Sequence, residues 1–160
     1  MNRIETFESL DCWKACRELR LSVVRKVCPV LPKDERFVLI SQVRRSARSL
    51  TANIAEGFGR FHYRDNYKFC SNARGSLFEV LDHLITARDE KFIGADLLNE
   101  GRLLFETARR LLNGYMNYLT RAADDNSRLQ EDPTAYGGSD HLTAWPHDEG
   151  SHSAPLTHNS

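Results

Sequence analysis

The stretch SLTANIAEGFGRF, residues 49–61, gathers residue types that chemistry uses. Asn53 can donate and accept hydrogen bonds, Glu56 can carry a proton, and Arg60 can hold an anion. Gly57 and Gly59 flank a Phe, as glycines do in loops that wrap phosphate. A phosphate loop, however, follows a strand and opens a helix, so that the free N–H groups of the helix start face the anion. Here the glycines close an amphipathic run and no strand-like alternation precedes them. The order predicts a helix stop and a tight turn. Gly57 is expected at the positive-φ position of a helix C-terminus, and Gly59 where the chain reverses.

Other sources of chemistry are thin. A nucleophile needs a base within hydrogen-bond reach. His62 and His83 have no Ser or Cys beside them in a recognisable arrangement, and no carboxylate pair stands out for acid–base work. Cys12, Cys16, Cys28 and Cys70 form no CxxC pair, and no His lies near Cys12 and Cys16 at zinc spacing. They are expected as small, reduced core residues of a cytoplasmic protein. His141, His147, His152 and His158 are spaced 6, 5 and 6 apart, which fits no compact metal motif. No catalytic residue, metal or cofactor is expected.

Charge is more informative. The formal net charge is zero, but residues 1–126 hold 21 Lys/Arg against 17 Asp/Glu, and residues 127–160 hold one Arg against five acids. Residues 36–74 hold eight Lys/Arg and two acids. Arg44, Arg45 and Arg48 sit about one turn apart, Arg64 and Lys68 likewise, and Arg60 lies between the two groups. Guanidinium groups match phosphate oxygens in pairs, and the nearby Phe61 and Tyr63 suit base stacking. These six cations are expected to form one basic, nucleic-acid-binding face, the alternative being a solvated helical surface.

Four amphipathic segments must position them. The first, about 6–28, carries Cys12, Cys16, Leu19, Val23 and Val27 on one face and ends at CPVLPKDE. The second, about 34–57 with Asp34 as cap, carries Ile40, Val43, Ala47, Leu50 and Ile54. The third, about 63–90, carries Tyr63, Tyr67, Cys70, Arg74, Leu77, Leu81 and Leu84. The fourth, about 95–122, carries Leu97, Gly101, Leu104, Ala108, Leu111, Tyr115 and Tyr118. Alternating spacings of 3 and 4 predict helices crossing at a shallow angle with interlocked side chains. The fold class is all-α, an up-down-up-down four-helix bundle over residues 1–126. Arg74 falls on the seam and is expected to pair with Glu56 or Glu79. Residues 127–160 are rich in Gly, Pro, Ser, Thr, His and acids, without a period, and are expected as a disordered tail. No apolar run is long enough to span a membrane.

The segments LDCWKACRELRLSV, LISQVRRSARSLTANIAEGFGR and FCSNARGSLFEVLDHLITA resemble the four-helix bundle proteins encoded in intervening sequences of bacterial 23S ribosomal RNA. The resemblance spans residues 10 to about 120. It implies a ring-like homopentamer without enzymatic activity. Related accessory proteins of diversity-generating retroelements bind nucleic acid and a reverse transcriptase. The motif positions in this chain are Arg44, Arg45, Asn53, Ile54, Glu56, Gly57, Gly59, Arg60, Arg74, Gly75, Ser76 and Glu79. The chain departs from the family where Leu81 and Asp82 stand in place of a Glu-Thr pair. Asn53 and Glu56 are expected to make polar contacts within the bundle or between subunits. The expected function is a non-enzymatic oligomeric scaffold that binds nucleic acid, RNA first, through the basic face. The alternatives are an accessory subunit with a protein partner such as a reverse transcriptase, and a purely structural oligomer.

Overall fold

The computed structural model describes residues 6–60 and 62–131, so Phe61 and the stretch 132–160 lie outside the described residues. Helix α1 spans Asp11–Ser22 and runs on through a π turn, Val23–Val27. Pro29 and Pro32 then end it, since each lacks an N–H and blocks helical continuation. Helix α2 spans Leu39–Phe58, α3 Tyr63–Asp89 and α4 Ala95–Glu131. Each helix packs on its chain neighbours, and α4 closes against α1. The result is an antiparallel up-down-up-down bundle, with no strand among the described residues.

Two boundaries differ from expectation. Residues Lys33–Phe37 form a 3-10 turn, and Val38 breaks before α2. The Glu35 carboxylate, not Asp34, accepts the Leu39 N–H at 3.2 Å, so the acid four residues ahead satisfies an otherwise unpaired donor. Helix α4 runs to Glu131, so residues 127–131 continue the helix where a disordered tail was expected. At the end of α3, the Phe92 N–H reaches the Ala87 carbonyl at 2.9 Å and the Lys91 N–H reaches Arg88 at 3.0 Å. This double bond pattern needs a left-handed residue, and Lys91 supplies it with φ 64° where glycine is usual.

The expected faces of α1 and α2 are buried residue for residue. The seams of α3 and α4 are rotated. On α3 the core is Asn66, Cys70, Ala73, Leu77, Val80, Leu84 and Ala87; on α4 it is Leu98, Gly101, Phe105, Ala108, Leu112, Met116 and Leu119. Tyr63, Tyr67 and Tyr118 are exposed. The same 3–4 spacing is kept, but Ala73 replaces Arg74 on the seam. Burying Ala73 lets α3 approach its neighbours and leaves the guanidinium in water, which avoids the large penalty of an interior charge. The four thiols are free and buried. Burial pushes the Cys12 and Cys70 thiols up to about 12, and raises Cys16 further.

Candidate nucleic-acid interface

The motif around Gly57 turns out to be a helix crossing. No glycine among the described residues has positive φ, and both Gly57 and Gly59 are right-handed. The expectation of a left-handed C-terminal Gly57 is therefore corrected. A Cβ on Gly57 would lie 2.7 Å from Asn66 Oδ1, 2.9 Å from Phe69 Cβ and 3.1 Å from the Asn66 carbonyl oxygen. Glycine is needed there because α3 crosses α2 at van der Waals contact with its backbone. Asn66 is buried at that crossing and donates to the Tyr115 hydroxyl oxygen at 2.9 Å, tying in α4. Burial pushes the Tyr115 phenol up to about 12.

One turn earlier in α2, Asn53 donates to the Ser49 carbonyl at 2.9 Å and to Ser49 Oγ at 3.0 Å. Ser76 on α3 donates to the same Oγ at 2.9 Å. Ser46 is buried and bonds the Val43 carbonyl. The small polar flank of α2 is thus the α2–α3 contact of one chain. Glu56 pairs with Arg60 on the surface. Glu79 lies 3.6 Å from His83 Nε2, a nitrogen that is buried without a hydrogen-bond partner. Arg74 is exposed and makes no ion pair among the described residues, so the expected buried pair with Glu56 or Glu79 is corrected.

The six sequence-assigned cations are all exposed, but the structure does not bring them onto one face. Arg44 and Arg48 share a ridge with Thr51, since residues three or four apart stack on one helix side. Thr51 accepts a bond from Arg20 of α1 at 2.9 Å, so this ridge flanks α1. Arg45 shares its ridge with Ser49 and Asn53, toward α3. Arg60 lies over the Phe69 ring, 4.6 Å from its centroid, as well as pairing with Glu56. It is engaged within the chain, not free. Arg64 and Lys68 face the other way, into a groove against α4 with Tyr67, Leu119 and Asp124. Lys68 bonds Asp65 at 3.1 Å and holds that carboxyl below the usual carboxylate range.

A second basic stretch, which the sequence reading missed, lies on the same pair of helices. Arg74 and Arg109 face each other across α3 and α4 with Gly75, Phe78 and Asn113, and Arg110 lies beside them. Arg109 donates to Glu106 Oε2 through Nε at 3.0 Å and Nη2 at 2.7 Å. The available signal was the adjacent pair Arg109-Arg110, and placing Arg74 on the core seam concealed it.

Among the described residues, no group of three or more His, Cys, Asp or Glu is arranged to hold a metal, and no helix is long and apolar enough to cross a membrane. Fold and surface define an all-α antiparallel bundle that carries exposed arginines without an ion pair among the described residues. Residues 8–114 match the family described as "23S rRNA-intervening sequence protein", and the chain belongs to that family. No curated protein matches the chain.

Proposed function

We propose that the protein is a non-enzymatic scaffold that binds nucleic acid, RNA first, through exposed arginines. The observation that carries this reading is the set of guanidinium groups without acid partners. Arg44, Arg45, Arg48, Arg64 and Arg74 are exposed and make no ion pair among the described residues. By contrast, Lys14, Lys26, Arg60, Lys68 and Arg109 each sit on a nearby carboxylate. Surface cations usually have interleaved acids; a set without them attracts a polyanion, and the planar guanidinium matches phosphate oxygens in pairs. Because the arginines lie on both flanks of the α2–α3 pair, contact runs around the bundle instead of at a single patch.

Assembly into a homo-oligomer of about five chains, which the family resemblance implies, would multiply these contacts by avidity. Exposed Phe37 and Leu103, 84% and 72% accessible in the single chain, are apolar surface that a second copy can cover. The small-residue flank of α2 does not serve this purpose, because α3 already occupies it.

The test is purification at low salt, with absorbance ratio and nuclease digestion used to identify bound nucleic acid. Co-purifying RNA that is released by high salt supports the reading. A nucleic-acid-free protein that also fails to bind added RNA or DNA would sink it and favour a protein partner.

A further inference from the structure

We infer that the outer groove between α3 and α4 seats a single-stranded stretch of nucleic acid, with phosphates on Arg74 and Arg109 and a base against Phe78. The inference rests on the nucleic-acid reading above and adds a strand type and a location. Four observations converge on this groove. Its charge is basic: Arg74 and Arg109 line it, and the one acid beside them, Glu106, is already engaged by Arg109. Its aromatic is presented for stacking. Phe78 packs edge-on against Phe105, with centroids 5.2 Å apart at 85°, yet remains 51% exposed. The ring is fixed from below and open above, and an open ring face stacks any unpaired base.

Its glycine is not explained by the chain's own packing. Gly75 lies within a long helix, where glycine is less favourable than alanine. A Cβ there would meet nothing within 4 Å, in contrast to Gly57. It lines the groove wall, where a missing side chain admits close approach by an outside backbone. Finally, Asn113 lines the groove, and its buried Oδ1 has no partner among the described residues. Turned outward, it would accept from a ribose hydroxyl or a base amino group. A duplex would leave Phe78 unused, because its bases are stacked internally. A second copy of this chain would have to bring a carboxylate to Arg74.

The test is fluorescence anisotropy with a labelled single-stranded uridine oligonucleotide and a labelled duplex of equal length. The proteins are wild type, Arg74→Ala, Phe78→Leu and Gly75→Ala, each checked for oligomer mass and melting. Phe78→Leu keeps an apolar contact for Phe105 but removes the stacking ring. It should weaken single-strand binding roughly 5- to 150-fold and leave duplex binding unchanged. Arg74→Ala should flatten the log–log salt dependence by about 0.7 for each single-strand phosphate that it leaves without a cation. Gly75→Ala should melt higher yet bind more weakly. If wild type binds and the variants bind equally well, the groove is overturned while the broader reading stands. If wild type binds neither probe, both fall. Variants that change oligomer mass while binding as wild type does would make the groove an interface between copies and overturn the inference.

Discussion

Replacing Gly57 with alanine should destabilise the bundle, against the usual direction for a helical glycine. Within a helix, Gly→Ala gains about 1 kcal/mol from backbone entropy and propensity. At Gly57 the new methyl meets Phe69 Cβ at 2.9 Å and the Asn66 carbonyl oxygen at 3.1 Å. Neither atom lies at the end of a flexible side chain, so α3 itself must move. Overpacking of this kind costs about 1–3 kcal/mol. The movement also strains the Asn66–Tyr115 hydrogen bond, worth about 1 kcal/mol. The net loss is then about 1–3 kcal/mol, a fall of several degrees in Tm for a domain of this size. The control is Gly75→Ala, where the methyl meets nothing within 4 Å and the ~1 kcal/mol gain should appear undiminished. Urea denaturation followed by far-UV circular dichroism compares the two. If Gly57→Ala is as stabilising as Gly75→Ala, α3 does not cross α2 at that residue and the account of the motif is wrong.

Other expectations follow from the same geometry. Lys91→Gly relieves a left-handed residue and should stabilise by about 1 kcal/mol in urea titration; a loss would mean that the Lys91 side chain is holding the turn. Arg74→Ala should change stability by less than about 0.5 kcal/mol, because the side chain is exposed and unpaired among the described residues; a loss of several kcal/mol would restore the buried pair. The raised thiols link stability to pH. Folded Cys12 and Cys70 hold their protons to about 12, whereas the unfolded groups release them near 9.0. Their contribution is therefore complete below pH 9 and is lost as pH rises toward 12, which a series of thermal melts would reveal. A thiol reagent at pH 8 should react slowly with the native protein and fast in denaturant; rapid native labelling would contradict the burial of these thiols.

The bundle was legible in the sequence because its signal is periodic, and α1 and α2 present the faces their spacing predicts. The phases of α3 and α4 were harder to read because two registers one residue apart share the same 3–4 spacing. Cys70, Leu77 and Leu84 satisfy both registers on α3. The choice between Ala73 and Arg74 depends on how closely neighbouring helices approach, a tertiary property. The same error hid the groove containing Arg74, Arg109 and Phe78. Gly57 shows a second limit. Its place in the motif was visible, but turn and crossing glycines look alike until Asn66 is known to lie against one. Lys91 carried no signal, since lysine is rarely left-handed. Periodicity also cannot say which side of a helix has which neighbour, so Arg44 and Lys68 read as one surface while the fold sends them to opposite flanks.

The central claim is that exposed, unpaired arginines hold nucleic acid by its phosphates. It is tested most directly by the affinity of the full-length protein for a labelled RNA oligonucleotide across a salt series. Neutralising Z phosphates gives a log–log slope of about −0.7Z on a single strand. The account predicts a steep slope that becomes shallower in Arg64→Glu and in Arg48→Glu. Because these residues lie on opposite flanks, the two effects should add in the double variant. A salt-independent affinity, or variants that bind as tightly as wild type, would contradict it.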